Sequence, residues 1–211
     1  MNPRQRQYDK LGETLVKKLE QRGYEACYCA TREEALAKAK ALIPEDHVVS
    51  WGGSATMAET GILDYVRKNR RCIDRDTGTT PEERQELMRK GLLCDTYLMS
   101  ANAISCQGEI VNIDGNGNRC AAMIFGPRQV ILVAGMNKVT RDLPSALARA
   151  RSTAATINIR RFPAAKTPCQ ATGICGDCLA PDSICNYVVV TRRCNPPGKI
   201  KVILVGEDLG F

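Results

Sequence analysis

The sequence contains one histidine, His47, and no second imidazole to accompany it. No Ser/His/Asp or Cys/His arrangement can be built from the chain, and His47, which stands just before a strand, reads as structural. Aromatic residues are also scarce, at 5% of the chain. Few of them stand among the basic residues, so the stacking platforms that single-stranded nucleic acid needs are missing. Arg4, Arg6, Lys17, Lys18, Lys38, Lys40, Arg67 to Arg71, Arg149, Arg151, Arg160 and Arg161 are scattered and read as solvated helix faces. Nucleic acid is therefore not the expected partner. No stretch approaches the ~18 uninterrupted apolar residues of a membrane span, and the polar start MNPRQRQYDK has no apolar run behind it. The expectation is a soluble, cytoplasmic protein with no membrane association.

What is present is a chain of 211 residues, 44% hydrophobic, enough for a sizeable core. Its eleven cysteines need an explanation. Without a secretion signal a disulfide scaffold is the weaker one, because the cytosol keeps thiols reduced, and metal or redox chemistry moves up. The formal charge of +7 points to anions, whether nucleic acid, phosphate or carboxylate metabolites.

Along the chain, Leu11, Leu15 and Leu19 recur every four residues and predict a helix from Arg4 to Arg22, ended by Gly23. A strand over Tyr24 to Cys29 follows, then an N-cap at Thr31 and a helix from Arg32 to Ile43 closed by Pro44. His47 to Ser50 reads as a second strand. Thr56 with Glu59 forms a capping-box pattern for a helix running to about Arg67. Cys72 and Ile73 suggest a short strand, and Thr80-Pro81-Glu82-Glu83 a strong helix start, the helix running to about Leu92. Tyr97 to Ser105 reads as one strand. Glu109 to Ile113 and Arg119 to Phe125 flank Asp114-Gly115-Asn116-Gly117-Asn118, which reads as a hairpin turn. Gln129 to Ala134 is a continuous apolar run of the kind buried on both faces of a parallel sheet. A helix from Leu143 to about Ile159 follows, then a stretch without period from Arg161 to Asn186, then strands over Tyr187 to Thr191 and Ile200 to Val205. The alternation predicts an α/β fold, a mostly parallel sheet flanked by helices, formed by residues 1–211 as one domain.

The densest chemistry lies in a cysteine-rich segment, residues 162–195. Cys169, Cys175, Cys178 and Cys185 fall in a C-x5-C-x2-C-x6-C run within TPCQATGICGDCLAPDSICN. Thiolates bind soft metals and iron–sulfur clusters, and turn formers let a short loop wrap several sulfurs around one centre. A structural zinc site usually offers two C-x2-C knuckles and this run has one, so a [4Fe–4S] cluster is the first reading and zinc the second. Cys194 is a substitute ligand, and Cys27, Cys29, Cys72, Cys94, Cys106 and Cys120 read as small buried hydrophobes.

Two further constellations suit a ligand. Trp51 to Thr56 sits between a strand and a helix, where open sheets bind small molecules, and Gly52, Gly53, Ser54 and Thr56 leave backbone N–H groups open to an anion. Asp114, Asn118 and Arg119 cluster beside Glu109, a candidate general base or nucleophile. Turn chemistry explains most of that segment; Arg119 is equally suited to a carboxylate clamp or a surface ion pair. Asn137 and Lys138 follow the apolar run at Gly135 and carry the same ambiguity.

Three segments together, SWGGSATMAETGILD, SANAISCQGEIVNIDGNGNRCAAMIFGP and VILVAGMNKVTRDLPSALARAR, resemble the LUD domain of lactate-utilisation proteins, over nearly the whole chain. The cysteine-bearing tail resembles that of a stand-alone branch and is not general in the family. The resemblance implies a fold like that of the sugar-phosphate isomerase and CoA-transferase superfamily. It also implies a link to oxidation of L-lactate to pyruvate alongside iron–sulfur partner proteins. It singles out Gly52, Gly53, Ser54, Thr56, Asp114, Gly117, Asn118, Arg119, Asn137 and Lys138, and places Glu109 near the glutamate that attacks the acyl group in CoA transferases.

The first expectation is thus an oxidoreductase component binding a small anionic metabolite at the glycine loop, with Glu109, Asp114, Arg119 and Lys138 as catalytic candidates. A zinc-stabilised regulatory or nucleic-acid-binding module is the second reading, and a non-catalytic subunit of a redox complex the third. Self-association is left open.

Overall fold

A computed structural model describes residues 2–211; Met1, the first residue of the expected 1–211 domain, lies outside the described residues. In chain order the elements are α1 (Pro3–Gln21), β1 (Glu25–Cys29), α2 (Arg32–Leu42), β2 (Val48–Trp51), α3 (Ala55–Glu59), α4 (Ile62–Asn69), β3 (Arg71–Ile73), α5 (Pro81–Gly91), β4 (Thr96–Met99), β5 (Ala103–Ser105), β6 (Ile110–Asp114), α6 (Asn118–Ile124), β7 (Gln129–Gly135), β8 (Val139–Thr140), α7 (Leu143–Arg149), α8 (Thr156–Asn158), α9 (Pro168–Thr172), β9 (Tyr187–Thr191) and β10 (Ile200–Val205).

Six strands form a sheet in the order β1-β10-β7-β4-β2-β3, and every neighbouring pair in it is parallel. The apolar run of β7 lies near its centre and is buried on both faces. Val130, Leu132 and Ala134 face a core shared with Leu15 and Leu19 of α1 and Met123 of α6, while Ile131 and Val133 face Ala35 and Ala39 of α2, Met57 of α3 and Val66 of α4. Leu132 is fully buried. Its replacement by alanine is expected to destabilise the protein by about 2–5 kcal/mol, read as a lower midpoint in urea unfolding.

A second, four-stranded sheet has the order β8-β5-β6-β9, with β6 antiparallel to both β5 and β9. Ala103, Val111 and Ile113 of this sheet pack on Ala146 and Ala150. Between α7 and α8 the helix passes through a π-helical stretch, Ala150–Ala155, so the expected helix from Leu143 to Ile159 is helical throughout but wider in the middle.

Three local expectations are corrected. Tyr97 to Ser105 is two strands, β4 in the first sheet and β5 in the second, because the chain leaves one sheet at Ser100 to enter the other. Asp114 to Asn118 is not a hairpin turn. Gly117 takes a left-handed φ of 78°, and one Asp114 carboxylate oxygen accepts the N–H groups of Arg119 and Cys120, so the segment starts helix α6. Asx and glycine chemistry serves helix starts as well as hairpins. Finally, Ser54, not Thr56, caps α3, and Gly61, with φ of 72°, ends that helix after five residues and opens α4. Thr80 does form its capping box with Glu83, as expected. Among the described residues no helix is long and apolar enough to cross a membrane.

Candidate functional site

The carboxyl ends of β10, β7, β4 and β2 lie side by side on one edge of the parallel sheet, and the loops leaving them converge, as the crevice rule for open α/β sheets anticipates. They border a cavity of about 460 Å³. Gly53, Ser54 and Thr56 come from the loop and helix after β2, Ser100 and Asn102 from the loop after β4, Lys138 from beyond β7, and Gly210 from beyond β10. The opposite wall is built by Ile113 and Asp114 of β6, by Asn118 and Arg119 of α6, and by the segment from Pro181 to Asn186. Arg75, Asn158 and Arg161 complete it.

The glycine loop works by making room for cations. A Cβ on Gly52 would fall 2.3 Å from Cγ of Arg119, and one on Gly53 would fall 2.6 Å from Nη2 of Arg75 and 3.6 Å from the Arg161 guanidinium. Gly52 itself does not line the cavity; its missing side chain is the space in which Arg119 lies. Arg119 is held by Asp114, 3.6 Å from its Nε, and donates from Nη2 to the Ile113 carbonyl, so it has partners before any ligand arrives. Arg75 is less engaged: its Nε is buried without a hydrogen-bond partner, although Asp76 lies 3.5 Å away. Three guanidinium groups thus face one polar cavity, a geometry suited to a carboxylate or phosphate. A Gly52→Ala variant is expected to lose about 1–3 kcal/mol of stability in urea unfolding, as Arg119 is driven from its slot.

Lys138 is 3% exposed. Its Nζ donates to Thr56 Oγ1 at 2.8 Å and Ser100 Oγ at 2.9 Å, joining the loops after β2, β4 and β7 at one point. Burial, with Arg149 and Arg119 nearby, pushes its pKa down to about 7, against a weaker opposing pull from Glu59. Behind the cavity, Arg149 donates to the Asn102 and Asn137 carbonyls, and Asn102 Oδ1 accepts the Ile113 N–H.

The four cysteines of the C-x5-C-x2-C-x6-C run border a second cavity of about 210 Å³, with Arg151, Ala155, Thr156 and Ile159 on its helical side. The Cys185 thiol is pushed up to about 11, first by burial and then by Cys169, Cys175 and Cys178 around it. Thr167 Oγ1 lies 3.4 Å from the Cys169 sulfur, and Arg151 pairs with Asp177 at the rim. Among the described residues no three Cys, His, Asp or Glu side chains stand close enough to hold one metal ion. The four thiols nonetheless border one space. Ile113, Ser183 and Ile184 line both cavities, so a single layer of side chains divides them.

Other residues singled out from the sequence lie elsewhere. Glu109 does not line the cavity. Its carboxylate is bound by Arg22 and Ser105, and although burial works to raise its pKa, these bonds leave it lowered, which suits an ion pair better than a nucleophile. Asn137 also lies outside the lining and fixes the turn after β10, accepting from the Leu209 N–H and donating to the Gly210 carbonyl. Cys194 is fully buried in the core, bonded to Ile200 N and the Pro196 carbonyl, and does not substitute at the thiol cavity. Cys29, Cys94 and Cys120 are buried as expected, while Cys27, Cys72 and Cys106 are half-buried. His47 bonds Thr96 and plays a structural part. Sequence reasoning missed Arg75, Asn158, Ser100 and Asn102, and took Arg161 for a solvated residue; none sits in a pattern of its own.

A family model described as the LUD domain matches residues 12–205. Among solved structures, a DUF162 family protein from Deinococcus radiodurans aligns with a TM-score of 0.55 at 13% identity, over 94% of this chain and 98% of that one. That likeness shows a shared fold. Ribose 5-phosphate isomerase A from Neisseria gonorrhoeae aligns with a TM-score of 0.36 at 13% identity, over 53% of this chain and 54% of that one. For 5-methylthioribose 1-phosphate isomerase from Pyrococcus horikoshii OT3 the TM-score is 0.37 at 14% identity, over 76% and 50%. No curated protein sequence matches.

Proposed function

The chain belongs to the LUD-domain family, and from that premise we propose that it binds a small carboxylate, L-lactate or pyruvate, in the arginine-walled cavity and serves lactate utilisation as an oxidoreductase component. The observation that carries this reading is the shared wall: the cavity faced by Arg75, Arg119 and Arg161 and the cavity faced by four thiols meet at Ile113, Ser183 and Ile184. A cation-lined site for a carboxylate thus lies beside a site with the donor set of an electron carrier.

Four thiols bordering one space are the donor set both of a [4Fe–4S] cluster and of a four-cysteine zinc site, and the single C-x2-C pair in their spacing favours the cluster. A [4Fe–4S] cluster held by Cys169, Cys175, Cys178 and Cys185 would supply one-electron transfer. Oxidation of L-lactate to pyruvate releases two electrons and two protons, so this reading includes a further acceptor, and iron–sulfur partner proteins fill that place. The residues of the chain bind and orient: Arg75 and Arg161 hold the carboxylate, Arg119 is fixed in the wall by Asp114, and Ile113, Ser183 and Ile184 form the layer between the two cavities.

The test is calorimetric titration of the anaerobically purified chain with L-lactate and with pyruvate, with iron and acid-labile sulfide measured on the same preparation. Binding of either acid by a protein that carries iron and sulfide supports the reading. Failure to bind both acids overturns it. Zinc without sulfide would give the cysteines a structural task and remove the electron-carrying half of the proposal.

A further inference from the structure

Lys138 is not needed to hold a carboxylate that three guanidinium groups already surround, and its environment suits a different task. Its Nζ is buried at the floor of the cavity, and its two hydrogen-bond partners, Thr56 Oγ1 and Ser100 Oγ, are neutral hydroxyls. Thr56 in turn donates to the Leu209 carbonyl, at 3.3 Å, which leaves its oxygen free to accept from the amine. Three loops from three neighbouring strands therefore hold one amine in a fixed place, inside a pocket lined by Arg75, Arg119 and Arg161 and by Asp114 and Asp182.

We propose that Lys138 is a Schiff-base nucleophile for the carbonyl of a 2-oxo acid whose carboxylate is held by Arg75 and Arg161. This rests on the reading of the cavity as a carboxylate site and adds a covalent step to it. A 2-oxo acid carries its electrophilic carbon next to the carboxylate, and the guanidinium groups and the amine line one cavity, so one small ligand has both partners within a single space.

The step balances without oxidant or reductant. The Nζ lone pair attacks the carbonyl carbon, a C–N bond forms, and a proton passes from nitrogen to the former carbonyl oxygen to give a carbinolamine. The nitrogen then expels that oxygen as water, with a proton supplied from solvent, leaving a protonated imine. The Thr56 and Ser100 hydroxyls stand within hydrogen-bond distance of the amine and can relay these protons. The imine draws electrons from the carbon beyond it, so the methyl hydrogens of pyruvate become exchangeable.

The amine must be neutral to attack. An ordinary lysine is almost wholly protonated at neutral pH. Burial and the positive Arg149 on α7 and Arg119 on α6 lower the pKa of Lys138 to about 7, opposed by Glu59 on α3. Arg75 and Arg161 line the same cavity with positive charge, and Asp114 of β6 and Asp182 line it with negative charge.

The experiment incubates the intact chain with pyruvate and cyanoborohydride, with a reductant-only control, and reads the adduct by mass spectrometry of protein and peptides. The expected result is one adduct per chain, heavier by pyruvic acid less one oxygen atom, on the peptide containing Lys138. Its yield should rise with pH to half-maximum near 7, and the pyruvate methyl protons should exchange with deuterated solvent. Lys138→Met should abolish adduct and exchange. Lys199→Arg, which changes a lysine bonded to the Met123 and Ile124 carbonyls, should leave both intact. Pyruvate bound without adduct, or adduct spread over surface lysines, overturns the Schiff base and leaves the carboxylate site standing. Absence of any pyruvate binding overturns the site and the covalent step together. Should Lys138→Met fail to fold, the peptide map of the wild-type adduct still decides.

Discussion

Anaerobically prepared Cys178→Ser protein should lose its iron, sulfide and visible absorbance, while Cys94→Ser keeps all three. The contrast follows from where the two thiols lie. Cys178 borders the space shared with Cys169, Cys175 and Cys185. Cys94 is buried in the main core, where its sulfur donates to the Thr96 carbonyl at 3.2 Å. Removing one of four thiolates leaves a coordination position without a sulfur ligand, and metal affinity and cluster integrity depend on the full set. The Cys94 change should instead appear as lowered stability, because it puts a more polar hydroxyl where a sulfur packs in the apolar core. Cys185, whose pKa stands at about 11, must shed a proton to act as a ligand, so metal uptake should release protons at neutral pH and weaken as pH falls. Equal iron in both variants would remove the cysteine run from the metal reading.

Arg75→Met should weaken carboxylate binding by about 2 kcal/mol, roughly 30-fold, because a hydrogen bond to a charged group contributes on that scale. Arg75 is chosen over Arg119 because it lines the cavity with its Nη2 beside Gly53 and has no close carboxylate bond beyond Asp76, 3.5 Å from its Nε. Arg119 already answers Asp114 and the Ile113 carbonyl, and its replacement would disturb the start of α6 as well as the cavity. Calorimetric titration with pyruvate against the unaltered chain measures the effect. Equal affinity would place the anion elsewhere. Arg75→Lys should recover part of the loss, since the charge returns but the planar fork does not.

Much of the fold was legible in the sequence because local rules and burial agreed. The apolar run at 129–134 could be buried only on two faces, and Thr80 with Pro81 and Glu83 left little choice about where α5 begins. The misreadings fall where one pattern serves two structures. Asp-Gly-Asn-Gly suits a hairpin or a helix start, and the choice is made by the Asp114 carboxylate accepting two helix N–H groups. The apolar stretch 97–105 gave no sign that its halves join different sheets, since that depends on partners far along the chain.

The candidate site divides in the same way. Glycines after a strand announce a crevice, and Gly53, Ser54 and Thr56 do line it. Arg75 and Arg161 reach it from single 3-10 turns, Arg75–Thr77 and Ile159–Arg161, that carry no motif, and only the folded chain brings them beside Gly53. The four cysteines were legible as a group because their separation along the chain is short enough for one loop to gather them, and they do border a single cavity.

The π-helical stretch Ala150–Ala155 also sets a limit on how this chain can change in length. A π-helical turn closes on i→i+5 bonds and holds one residue more than the α-helical turns on either side, so the stretch has one residue of slack that the α-helical parts lack. Ala146 before it and Ala150 at its first position face the second sheet; within and after it, Arg151, Ala155, Thr156 and Ile159 face the thiols, and Asn158 and Arg161 face the carboxylate cavity. Deleting one residue within Ala150–Ala155 should therefore let the stretch close to α-helix and leave Asn158 and Arg161 on the carboxylate cavity. The same deletion in the α-helical turn Thr156–Asn158 has no such slack and should turn Arg161 by about 100° away from it.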